Sequence, residues 1–97
     1  MTEVFDEVVH APNRLKICAF LDASGTAEFA VLRDMLGVAD SVLSKHLKVL
    51  QDAGYLEIAK PSGHGRVRTW VKLTPAGRRA YAGHVAALQR LLAHPQG

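Results

Sequence analysis

Ser41, Ser44, Lys45 and Lys48 fall within one short stretch, DSVLSKHLKVL. Hydroxyls and ammonium groups crowded in this way suit recognition of a polyanion. A serine bonds a base edge or a phosphate oxygen, and a lysine meets a phosphate or the acceptor edge of guanine. Val42 adds a small apolar group of the kind that rests on a thymine methyl. A second set, Lys60, His64, Arg66, Arg68 and Lys72, surrounds the segment PSGHG. Arginine beside a phosphate backbone or a narrow groove is favourable, with an affinity that falls as salt rises. Catalytic groupings are missing from the sequence. It has no glycine-rich phosphate loop, no nucleophile elbow and no metal-ligand spacing, so it does not read as an enzyme.

The elements that must position these residues follow from periodicity. Leu43, Leu47 and Leu50 repeat at helical spacing, which turns Ser41, Val42, Ser44, Lys45 and Lys48 to the opposite side. Asp40 is the expected N-cap of that helix and Gly54 its stop. Just before it, EFAVLRDMLG predicts a compact helix burying Phe29, Leu32 and Leu36 and ending at Gly37. Two short helices joined by a tight glycine turn, the second with a polar outer face, make a helix-turn-helix candidate with Val38 in its core. Upstream, Glu3 to Val9 is a short helical candidate, Pro12 opens a helix running to Gly25, and Thr26 to Glu28 is a short strand or a turn. After Gly54 the period becomes two. Tyr55–Lys60 and Arg66–Leu73 alternate as the arms of a β-hairpin, with Val67, Thr69 and Val71 on one face and Arg66, Arg68, Trp70 and Lys72 on the other. Thr74 then caps a last helix beginning at Pro75.

Length and charge bound what such a chain does. Ninety-seven residues make one small domain, residues 1–97, near the size at which burial is marginal and dimerisation helps. The net charge of +3 is unevenly spread. Residues 1–39 hold three basic side chains against six acidic, whereas residues 40–97 hold nine against three. The basic half faces either a polyanion or an oppositely charged subunit. The hydrophobic share of 48% is ordinary for a globular protein. A lone cysteine, Cys18, excludes an internal disulfide framework and fits a reducing cytoplasm. An acidic start, MTEVFDEVV, and no apolar run of bilayer length give the expectation of a soluble, cytoplasmic protein with no membrane partner.

Taken together, DSVLSKHLKVLQDAGYLEIAK, the glycine-bearing tip, RVRTWVKLT and PAGRRAY resemble the winged-helix domain of MarR/ArsR-type bacterial transcriptional regulators, over about residues 12–92. The resemblance implies a mostly α fold with a small β-hairpin, that is, a winged helix-turn-helix: a three-helix core, a wing and terminal dimerisation helices. It also implies a homodimeric repressor on a near-palindromic operator in double-stranded DNA. The recognition-helix contacts then fall on Ser41, Ser44, Lys45 and Lys48, and wing contacts on Arg66 and Arg68. Metal-sensing members use paired cysteines or cysteine–histidine clusters. Here Cys18 stands among apolar residues and reads as core, so neither metal nor cofactor is expected. A small-molecule effector is left open without support in the residues. The alternative function is a winged-helix module docking an acidic partner protein.

Tyr81, Val85, Leu88 and Leu92, spaced four, three and four apart, form either a dimer seam with Phe5 and Val8 or an intramolecular core stripe. His46 is assigned to packing or to a phosphate, while His10, His84 and His94 share no ligand spacing.

Overall fold

The structure, a computed structural model, describes residues 3–60 and 68–95. Among these residues the order is α1 (Glu7–His10), α2 (Pro12–Ser24), β1 (Thr26–Glu28), α3 (Phe29–Leu36), α4 (Asp40–Asp52), β2 (Leu56–Ala59), β3 (Trp70–Leu73) and α5 (Pro75–Ala93). Most α, with a small antiparallel sheet, is what the residue pattern leads one to expect.

Local chemistry sets the helix ends. Pro12 sits in the first turn of α2, where its missing N–H costs nothing. Thr74 caps α5 through a hydrogen bond from Gly77 N–H to its hydroxyl, 3.0 Å. Between α3 and α4 the chain turns at Gly37, with φ 66°, a left-handed conformation open to glycine. Two expected boundaries are corrected. The first helix begins at Glu7 rather than Glu3, because Asp6 is its cap and accepts Val9 N–H at 3.0 Å. The N-cap of α4 is Ala39, not Asp40, which is the first helical residue and turns its carboxylate to Arg33 at 3.3 Å. A negative group in that first turn still meets the positive end of the helix.

Strand β3 is central in a three-stranded sheet of order β1-β3-β2. Thr26–Glu28 is therefore a strand, and the sheet is wider than a hairpin. In register, Val71 lies between Ala27 and Ile58, and Lys72 between Thr26 and Glu57. The first row faces the core and the second faces water. The Phe29 N–H donates to Thr69 O at 2.9 Å, tying the start of α3 to the entry of β3.

One apolar cluster joins α1 through β3: Val9, Ile17, Cys18, Leu21, Ala27, Leu32, Leu43, Leu47, Leu50, Leu56, Val71 and Leu73, with Ala80 and Tyr81 of α5 packed against it. Phe29, Leu36 and Val38 pack against it from the helix-turn-helix. Burial holds the Cys18 thiol protonated, pushing its pKa up to about 12. Among the described residues, no helix is long and apolar enough to cross a membrane.

Candidate nucleic-acid interface

The second helix of the helix-turn-helix, α4, buries Leu43 and Leu50 completely and Leu47 nearly so. That anchoring fixes its rotation. Ser41, Val42, Ser44, Lys45 and Lys48 all emerge on the exposed side, as the leucine spacing predicts. Lys48 reaches Asp52 one turn on, at 3.3 Å, with both side chains mostly in water. Such a pair is weak, so the lysine is readily taken by a phosphate.

Beside this face runs an open groove of about 400 Å³, walled by Ser44, Leu47, Lys48 and Gln51 of α4 and by Ile58, Lys60 and Thr69 from the sheet side. Lys60 is exposed at the end of β2, and so is Arg68 just before β3. Arg68 lies 3.8 Å from Glu28 of β1, which holds the base of the wing against the sheet edge. His64 and Arg66, with residues 61–67 as a whole, lie outside the described residues.

Several polar partners were not evident in the sequence. Arg33 of α3 bonds Asp34 and Asp40, at 3.2 and 3.3 Å, and so joins the two helices at the N-terminus of α4. On the inner flank of α4, His46 is half-buried. Its Nδ1 lies 3.3 Å from Arg14 and its Nε2 3.4 Å from the Asn13 amide. Arginine only donates, so Nδ1 is the acceptor and the ring is neutral. Desolvation and then the Arg14 charge lower its pKa. His46 thus seats α4 on α2, the packing side of its expected role. A second cluster joins Asp6, His10, Tyr55 and His84, with Tyr55 donating to Asp6 Oδ2 at 2.5 Å. Its one sequence signal is the three-residue spacing from Asp6 to Val9, typical of a cap.

The expected seam divides. Tyr81 of α5 and Val8 of α1 pack against the core of their own chain. Val85 and Leu88 are half-buried, Phe5 is exposed, and Leu92 is 76% exposed beside Leu91, which is 52% exposed. Among the described residues, His, Cys, Asp and Glu form no group of three able to hold a metal.

Comparison with known proteins places this geometry. Residues 13–92 match the family model described as winged helix DNA-binding domain. An uncharacterised protein of Methanocaldococcus jannaschii is 35% identical over 89 residues, 92% of each chain. The fold is shared with a transcriptional regulator homologue of Pyrococcus horikoshii, at TM-score 0.87 and 24% identity, covering 95% of this chain and 91% of that one. It is also shared with a zinc-responsive MarR family member of Lactococcus lactis, at TM-score 0.66 and 22% identity. That match covers 94% of this chain and 62% of the longer protein.

Proposed function

The chain belongs to the winged helix DNA-binding domain family, and we propose that it is a DNA-binding regulator that works as a homodimeric repressor on a near-palindromic operator. The observation that carries this reading is the division of α4: three leucines hold it to the core while Ser41, Val42, Ser44, Lys45 and Lys48 stand together in solvent. In the proposed complex α4 lies in the major groove, its N-terminal residues nearest the bases. Ser41, Ser44 and Lys45 meet base edges, Val42 a methyl group and Lys48 a phosphate. Lys60 and Arg68 approach the adjoining backbone from the wing, with Arg66 and His64 further along the same segment.

Dimerisation is supported by the uncovered end of α5. Leu88, Leu91 and Leu92, with Phe5 beside the N-terminal segment, offer apolar surface that a second copy would cover. A two-fold dimer sets its two α4 helices about one helical turn of DNA apart. Repression follows from occupation of a promoter by such a dimer.

Selection of bound duplexes from a random pool by the purified chain tests the reading. The expected product is an inverted repeat with half-site centres about 10 base pairs apart. Enrichment of no sequence over the starting pool overturns it.

A further inference from the structure

The N-terminal helix is tied to α4 by two chains of polar contacts, and both depend on neutral imidazoles. In the first, the Asp6 backbone N–H donates to His84 Nδ1 at 2.9 Å, and His84 Nε2 lies 3.1 Å from His10 Nδ1. An N–H pointing at Nδ1 leaves the His84 proton on Nε2, which then donates to His10. Both rings are neutral in that arrangement. Asp6 continues the chain by accepting from Tyr55 OH, and Tyr55 N–H donates to Leu50 O at 2.9 Å in the last turn of α4. In the second chain, Arg14 donates to Val8 O at 2.5 Å and to His46 Nδ1 in the middle of α4.

His84 is fully buried on α5, and the Phe5 ring centre lies 4.6 Å from both histidine rings. The charges acting on it come from the N-terminal side. His10 opposes a positive charge on it, while Asp6 and Glu7 favour one. One turn earlier on α5, Tyr81 feels Asp22 and Cys18 of α2. From the α4–β2 junction Tyr55 points to Asp6, and from α2 Arg14 and Asn13 face His46.

We propose that protonation of His84 frees the Asp6 segment from α5 and, through Tyr55, loosens the seating of α4, so that DNA binding weakens in mild acid. An imidazolium at His84 turns an N–H toward the Asp6 N–H. That protonation replaces a hydrogen bond by two opposed donors. Desolvation and then His10 outweigh the two carboxylates and lower the His84 pKa. The native contacts are therefore complete above the ordinary histidine pKa of about 6.5 and are lost as pH falls below it.

The inference rests on the DNA-binding reading, and its test separates the two. On DNA-free protein, imidazole and amide NMR signals are followed from about pH 8 to about pH 5. His84 is expected as the Nε2–H tautomer at the start. A step shared by His84 and the Tyr55 amide should follow below about pH 6.5. His84→Gln, whose amide accepts and donates in the same order, removes that step. Should it fold poorly, His10→Gln at an exposed site raises the His84 midpoint by removing the opposing charge. In the second arm, affinity for the duplex selected at pH 8 falls roughly tenfold by about pH 5.5, and not in His84→Gln. An Nδ1–H tautomer at pH 8, or a Tyr55 amide indifferent to the histidine step, overturns the proposal. Absence of DNA binding at pH 8 counts against the regulator reading, and the DNA-free titration still decides the latch.

Discussion

Gly77 and Tyr55 meet backbone to backbone. A Cβ on Gly77 would overlap the Tyr55 carbonyl oxygen and lie 3.1 Å from a Leu73 methyl. The same carbonyl accepts the Thr74 N–H at 3.0 Å, so α5 starts locked to the exit of α4. In an open helix, glycine to alanine would stabilise by about 1 kcal/mol. Here the overlap involves backbone, which cannot swing aside. Gly77→Ala is expected to destabilise by about 1–3 kcal/mol, the range for overpacking. Urea denaturation reads the sign, and a rise in the midpoint removes the close approach from the account.

Lys45→Ala and Lys48→Ala should separate binding from stability. The Lys48–Asp52 pair is exposed on both sides, so its loss moves the unfolding free energy by less than about 0.5 kcal/mol. DNA affinity falls in both variants. Lys48→Ala reduces the salt slope by about one, and Lys45→Ala also changes the preferred bases. Fluorescence anisotropy at several salt concentrations measures this; affinities equal to wild type would remove α4 from the interface.

Asp6 serves three partners at once: Val9 N–H, Tyr55 OH and, through its own N–H, His84. Asp6→Ala forfeits the cap, worth about 1 kcal/mol, and a charged hydrogen bond, worth about 1.5–3 kcal/mol. Tyr55→Phe forfeits only the second. Thermal melts should rank wild type above Tyr55→Phe and that above Asp6→Ala.

Tyrosine ionisation offers a pH test. The Asp6 hydrogen bond, helped by burial, raises the Tyr55 pKa to about 12, and burial raises that of Tyr81 as well. For Tyr55 the folded form keeps its proton longer than the unfolded chain. Its contribution is whole below about pH 10 and is lost as pH rises toward 12. Phenolate absorbance should show no step at pH 10 in the native protein. A tyrosine titrating there, in Tyr81→Phe, would contradict the Asp6 contact.

Leu92→Lys places a charge on the most exposed apolar side chain at the end of α5. Sedimentation should show a shift from dimer toward monomer with an unchanged melting profile of the monomer. A dimer undiminished by the substitution moves the interface elsewhere.

The presented face of α4 was legible because it depends on a local rule: leucines at 43, 47 and 50 fix the rotation of any helix through them. The Gly37 turn and the Thr74 cap are equally local. Other features turn on partners far away in sequence. Thr26–Glu28 becomes a strand only because β3 lies beside it, some 45 positions on. His84 finds Asp6 across 78 positions, and His46 finds Arg14 across 32, so neither histidine's role follows from its neighbours. Asp40 is instructive for a different reason. Its type fits a cap, yet Arg33 competes for its carboxylate and the cap moves to Ala39. On α5, regular spacing concealed two environments, since Tyr81 belongs to the core and Leu92 to the surface.

Cys18 gives the molecule an internal clock. It is the chain's one cysteine, buried completely, with its thiol held protonated well above neutral pH. A thiol reagent therefore waits for the core to open, and each modification records one opening. Labelling rates at increasing reagent would give the frequency of those excursions directly, with no probe added to the DNA-facing side.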